Sequence, residues 1–196
     1  MNKVNRSEKS KPDLIPPHGG YRNLKSYQTA EIVYDATAVF CNRFIDKRSR
    51  THDQMVQAAR SGVQNIAEGS MASATSKKTE LKLTGVARAS LEELLLDYKA
   101  FLRQKGLRLW DKDSQEAMTV RKKYQSDKSD LSDMSDPYSI KIASPEVAAN
   151  TLICPINQAS YLIGRQLQRL EQQFLNEGGF TEKLYQRRMQ ARKKPY

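Results

Sequence analysis

Between Ser76 and about Lys105, residues Leu83, Ala87, Leu91, Leu94, Tyr98 and Leu102 step by three or four positions. That spacing winds one apolar stripe along one side of a helix. No period-two alternation competes with it, and Gly106 supplies a helix stop. A rod with one greasy side is stable only against partners of the same kind, so this segment restricts the chain to packed helices.

The rest of the chain supplies those partners. A first helix is predicted from Asn23, as N-cap, to Phe44, with Tyr27, Ala30, Tyr34, Cys41 and Phe44 in its stripe and Val33, Ala36 and Phe40 widening it. After the polar link Asp46–Ser49, a second helix starts near Ser49 or Thr51. Met55, Ala58, Ala59, Gly62, Val63, Ile66 and Ala67 mark its buried side, small enough for close approach of a neighbour, and Gly69 is the expected stop. Ser144-Pro145-Glu146 is a helix entry, with Ser as cap and Pro in the first turn. The helix that follows runs to about Glu177 on Ile156, Ala159, Ile163, Leu167, Leu170 and Phe174. Pro155 is expected to kink it or split off a short first segment, and Gly178-Gly179 ends it. Thr181 can cap a short basic helix from Glu182 to about Arg192.

The predicted fold is therefore all-α: an up-down-up-down four-helix bundle over residues 21–177, with an inserted charged linker and a short basic C-terminal helix. Residues 1–20 read as a disordered basic lead, because Pro12, Pro16, Pro17, Gly19 and Gly20 oppose regular structure. The insertion spans 107–143. Its part from Trp110 to Tyr124 can form a short charged helix, and a repeated Ser-Asp step carries Asp127, Asp130, Asp133 and Asp136. Period-three carboxylates do not match a calcium loop, so this run is expected to be a solvated acidic linker. Residues 178–196 form a basic extension.

Hydrophobic residues make up 38% and charged residues 28% of the chain, a balance that suits a slim bundle. No run approaches about 20 apolar residues, which argues against a membrane span, and the N-terminus lacks the apolar core of a secretory signal. Cys41 and Cys154 lie far apart without metal-like spacing. They read as small buried apolar groups in a reducing, cytoplasmic setting, against a disulfide or a reactive thiol.

Catalytic patterns are missing from the sequence. His18 falls in the lead and His52 near a helix start; no nucleophile elbow, Glu-x-x-His pair or phosphate-cradling glycine loop accompanies them. Glu31, Glu68, Glu92, Glu93 and Asp97 are expected to form ion pairs or a solvated face. The expectation is a protein that is not an enzyme and holds no metal or cofactor.

Charge is the stronger signal. Lys and Arg total 33 against 22 for Asp and Glu, a net charge of +11. Such an excess favours a polyanionic partner, nucleic acid first and an anionic membrane surface second. Four sets of cations are candidates for phosphate contact: Lys47, Arg48 and Arg50 in the first link; Lys77, Lys78 and Lys82 opening the third helix; Arg165 and Arg169 one turn apart on the fourth; and Arg187, Arg188, Arg192, Lys193 and Lys194 in the tail, the densest set. Each could equally be a solvated face. With no RNA-recognition aromatic motif or zinc finger, binding of RNA or DNA would read shape and charge, with Tyr185 and Tyr196 as weak candidates for base stacking.

Asn65-Ile66-Ala67-Glu68-Gly69 closes the second helix, and Ala89-Ser90-Leu91-Glu92-Glu93-Leu94 lies in the third. With the opening Tyr21-Arg22-Asn23-Leu24-Lys25-Ser26-Tyr27, and with Asn157-Gln158-Ala159 and Gly164-Arg165-Gln166-Leu167 in the last helix, the chain resembles the four-helix-bundle family encoded in intervening sequences of large-subunit ribosomal RNA genes. That family includes the accessory variability determinant of diversity-generating retroelements. The match covers about residues 21–106 and 145–177. It implies a homo-oligomer, a pentamer in the retroelement proteins, that binds nucleic acid and assists a reverse transcriptase. The insertion departs from the short family members, whereas the basic extension looks like the suffix of a longer subgroup. Asn65 and Glu68, three apart, share a helix face; they either tie the helix end to a neighbour or contact a ligand. The competing reading of the whole chain is an oligomeric protein-interaction scaffold that does not bind nucleic acid itself.

Overall fold

A computed structural model describes residues 18–126, 136 and 138–192. After a short 3₁₀ turn, Gly20–Asn23, the helices are α1 (Lys25–Phe44), α2 (Arg50–Ala72), α3 (Lys77–Gln104), α4 (Gln115–Ser126), α5 (Pro145–Glu177) and α6 (Phe180–Arg192). The chain is all-α: α1, α2, α3 and α5 make a bundle in which α1 packs on α2 and α5, and α3 on the same two. Short α1–α2 and α2–α3 links set neighbours antiparallel. The starts of α1 and α3 therefore share one end of the bundle with the finishes of α2 and α5.

Local signals explain most of the boundaries. Ser49 Oγ accepts from Thr51 N–H, Ser76 Oγ from Thr79 N–H and Ser144 Oγ from Val147 N–H, so three serines cap α2, α3 and α5. Pro145 stands in the first turn of α5 as expected. Gly106 ends α3 at φ +65°, with Gly106 N–H on Arg103 O and Leu107 N–H on Leu102 O, the paired bonds of a glycine C-terminal motif.

Three boundary expectations need correction. Asn23 does not cap α1; it belongs to the 3₁₀ turn, and Leu24 precedes the helix with no side-chain cap. Gly69 does not stop α2, which runs on to Ala72. The glycine is there for space: a Cβ on it would stand 3.3 Å from Thr84 Oγ1 and 3.4 Å from Glu80 O of α3. Pro155 does not split α5, which is one helix from Pro145 to Glu177. Pro155 is buried beside Leu152 and Ile156, so core packing on this long helix outweighs one missing backbone bond.

The core follows the predicted stripes. Phe40, Met55, Ile66, Leu91, Leu94, Tyr98, Leu102, Leu152, Ile156 and Ile163 are among its fully buried side chains. Across the diagonal between α1 and α3, the Phe40 ring meets Tyr98 edge-on at 4.8 Å and Phe101 at 5.0 Å, in the edge-to-face arrangement aromatic quadrupoles favour. Tyr98 Oη donates to Thr37 Oγ1 at 3.1 Å, which satisfies a hydroxyl that burial would otherwise penalise. Between α2 and α3, Gly62 lets Leu91 approach so closely that a Cβ would lie 2.8 Å from Leu91 Cδ2.

The insertion is more than a linker. Its helix is Gln115–Ser126, shorter at the front than the Trp110–Tyr124 expectation, with Ser114 Oγ accepting from Ala117 N–H and Ala117 buried. α4 packs on α5. Further on, Ile140 is fully buried in the main core, and Arg43 of α1 donates to the carbonyls of Ile140 and Ala143. Of the four repeated aspartates, Asp127, Asp130 and Asp133 lie outside the described residues. Asp136 is not merely solvated: its carboxylate accepts from the N–H groups of Ile140 and Lys141 at 2.7 and 2.8 Å, capping the turn that delivers Ile140.

Candidate functional site

The cation sets fall at two ends of the bundle. Lys47, Arg48 and Arg50 are exposed at the α1–α2 corner. The 23 residues of α2 separate that corner from the α2–α3 end, about 34 Å at 1.5 Å per residue. Lys77, Lys78 and Lys82 open α3 at the other end, which also holds the later turns of α5 with Arg165 and Arg169, and then α6. Lys77 is engaged, 2.8 Å from the nearly buried carboxylate of Glu80. The cationic side chains of the other candidates have no carboxylate partner among the described residues, while Lys193 and Lys194 lie outside those residues.

Two of these cations are brought together with one that charge counting passed over. The first turn of α1 lies beside α5, where Ser26 Oγ donates to Gln166 Oε1 at 3.0 Å. Around that contact runs a groove of about 630 Å³, lined by Lys25 and Ser26 on one side and by Arg165, Gln166, Gln168, Arg169 and Gln172 on the other. Among the described residues, no carboxylate lines it. Arg165 Nη1 reaches the hydroxyl of Tyr161, an aromatic side chain 61% exposed at the groove's edge. Three cations, a hydroxyl and amide side chains along an open trench form a surface to which a chain of phosphates is attracted and against which it can hydrogen-bond. Neither Lys25 nor Tyr161 stands out in sequence; the antiparallel seating of α1 on α5 assembles them.

The tail is arranged differently. α6 buries none of its residues. It begins at Phe180, so Thr181 is not its cap; Glu182 instead reaches back to accept from Gly179 N–H at 2.8 Å. Lys183 pairs with Glu177 of α5 at 2.9 Å, and together with Lys77 it holds the Glu177 carboxyl below its usual range. Lys183 and Arg187 form one stripe on α6, Arg188 and Arg192 another about 140° around it. Tyr185 is 64% exposed and lies beside the second stripe, about 20° from Arg192 around the helix, and Tyr196 lies outside the described residues.

Asn65 Nδ2 donates to Ser61 O in its own helix, Glu68 is exposed, and Gly69 is the member of that segment pressed against α3. The carboxylates of the described residues meet at most in pairs along one helix, as Glu93 and Asp97 do on α3. Glu31 accepts from Tyr27 Oη at 2.8 Å, and Asp97 is pushed up from its ordinary range by burial and by Glu93 one turn earlier. Among the described residues, no three His, Cys, Asp or Glu side chains gather closely enough to hold a metal ion. Cys41 is fully buried, and burial, helped by Asp97, pushes its thiol up to about 12; Cys154 is half-buried and raised for the same first reason. No helix among the described residues is long and apolar enough to cross a membrane.

Fold and groove thus define an all-α helical bundle carrying an unneutralised cationic trench at one end. No protein-family model, curated protein or solved structure matches the chain.

Proposed function

We propose that the protein is a non-catalytic nucleic-acid-binding accessory protein that holds RNA or DNA by its phosphates. The observation that carries this reading is the α1–α5 groove, where Lys25, Arg165 and Arg169 converge without a carboxylate on a chain of net charge +11. Phosphate contacts of this kind release counterions and position a strand without reading its bases, so affinity falls steeply with salt. The exposed corner cations Lys47, Arg48 and Arg50, and the stripes of α6, extend the positive surface for a longer strand. The resemblance in Asn65–Gly69 adds the further proposals of a cytoplasmic homo-oligomer, pentameric as in the retroelement proteins, and of a reverse transcriptase as partner. A fluorescence-anisotropy titration with a structured RNA and a duplex DNA at two salt concentrations tests the reading. Tight binding at low salt that weakens at high salt is expected; no binding at low salt refutes it.

A second reading has an observation of its own. Val86 and Leu96 on α3, Met71 on α2 and Leu175 on α5 are 41%, 57%, 56% and 74% exposed. Apolar side chains left on outer faces suit a scaffold that meets other proteins or copies of itself. Light scattering on the purified chain separates the cases: a monomer at micromolar concentration removes the main support for a scaffold built by self-association.

A further inference from the structure

A second cavity lies at the other end of the bundle and involves none of the groove residues. Its volume is about 250 Å³, and its walls come from α3 (Lys99), the 109–112 loop (Trp110, Lys112), α4 (Arg121) and α5 (Cys154, Asn157). The guanidinium of Arg121 is the unusual element. Its Nε donates to Ala117 O, one turn back, but its Nη2 is fully buried and has no hydrogen-bond partner among the described residues. A buried charged donor left unsatisfied costs more than an ordinary lost hydrogen bond, so native proteins match such groups. Arg121 is absent from the ion pairs of the described residues, and Lys99 is likewise half-buried without one.

Other polar groups around the cavity are engaged, Asn157 through its Nδ2 on Ile153 O at 2.8 Å. Asn150 is spent as a clamp, its Oδ1 accepting from Trp110 N–H and its Nδ2 donating to Arg108 O and Glu146 O. The Cys154 thiol donates to Asn150 O, and the one carboxylate in the lining, Asp111, accepts from Asp113 N–H in its own loop. Lys112 pairs with Asp113 at 3.9 Å, so what remains unmatched among the described residues is Arg121 Nη2 and the Lys99 ammonium, in a lining shared with Trp110.

We propose that this cavity binds a small phosphate monoester, its dianionic group held between Lys99 and Arg121 and its organic part lying toward Trp110. Two cations without an ion pair, Lys99 and Arg121, call for a dianion over a singly charged carboxylate, and a guanidinium fork matches phosphate oxygens in pairs. Because α4 otherwise packs on α5, the bound phosphate would also tie α4 to α3 through Lys99.

Trp110 is the chain's single tryptophan, so its fluorescence reports on the cavity directly. The full chain is titrated with inorganic phosphate near pH 7.5 at constant ionic strength, with sodium chloride and sodium acetate as matched controls. A saturable change in emission with phosphate alone is expected. Arg121→Met should raise the half-saturating concentration roughly tenfold or more, the loss for one charge-assisted hydrogen bond. Lys99→Gln should weaken binding in the same direction and decides the matter if Arg121→Met does not fold. Arg60→Gln, an exposed cation of α2 outside both cavities, should leave the titration unchanged. The proposal is overturned if phosphate gives no saturable response, if acetate gives the same one, or if the Lys99 and Arg121 variants respond like the parent.

Discussion

Replacing Asn150 by leucine should detach the start of the insertion from the bundle. Asn150 is 2% exposed and makes three side-chain hydrogen bonds, at 2.8 Å from Trp110 N–H and at 2.8 and 2.9 Å to Arg108 O and Glu146 O. Leucine is of similar size but has no polar atom, and it keeps water out of the gap. The Glu146 carbonyl retains its helical bond, so its loss is small. The Arg108 bond is worth about 1 kcal/mol net, and stranding the half-buried Trp110 N–H costs about 1–3 kcal/mol. The sum is about 2–4 kcal/mol, which at a urea dependence of about 1–3 kcal/mol per molar lowers the midpoint by roughly 1–2 M. Equilibrium urea unfolding followed by far-ultraviolet circular dichroism measures it, and the Trp110 emission should shift to the red in native buffer as the loop loosens. A loss below about 0.5 kcal/mol with unchanged emission would mean that the loop is held by something other than this clamp.

Other consequences are equally direct. Gly85 sits mid-helix with nothing within 4 Å of an added Cβ, so Gly85→Ala should stabilise the protein by about 0.5–1 kcal/mol in thermal or urea melts. Gly62→Ala drives a methyl into Leu91, and the overpacking cost of about 1–3 kcal/mol outweighs that propensity gain; a melt at or above the parent's would contradict the α2–α3 contact described. Cys41 should resist iodoacetamide at pH 8 in the native protein and react on unfolding, as read by mass spectrometry, because its buried thiol is pushed up to about 12. With that thiol raised from its ordinary value near 9, and Tyr98 raised as well by burial, the folded state keeps protons that the unfolded chain releases. Stability is therefore fully present below pH 9 and is lost as pH rises through about 12; Cys41→Ala should make that decline shallower in urea midpoints measured from pH 8 to 11.

The parts of this fold that were legible in sequence are those decided within one helix. Leu83 to Leu102 announce α3 because the stripe repeats for many turns, and Ser49, Ser76 and Ser144 announce starts because a cap is a bond between near neighbours. The misreadings share a different cause. Gly69 has two uses, positive φ at a stop or missing bulk at a contact, and only α3 lying against it selects the second. Pro155 weakens any helix, but its cost is outweighed by a core that the local sequence does not display. Asn23 is able to cap, yet the chain enters α1 through a 3₁₀ turn. For the candidate sites, Arg165 and Arg169 are visible as charge, whereas Lys25 joins them because α1 docks antiparallel on α5. Arg121 and Trp110 fall in a stretch whose composition resembles a linker, and their pairing with Lys99 exists only after α4 has docked.

The central claim is that the α1–α5 groove engages nucleic-acid phosphates. It is tested most directly by the slope of log affinity against log salt for a duplex DNA, measured for the parent chain and for a Lys25→Gln, Arg165→Gln, Arg169→Gln triple variant. Weaker binding and a slope shallower by about 2–3 are expected, since each lost phosphate contact on B-DNA removes about 0.9. A triple variant that folds like the parent and keeps its affinity and slope would contradict it.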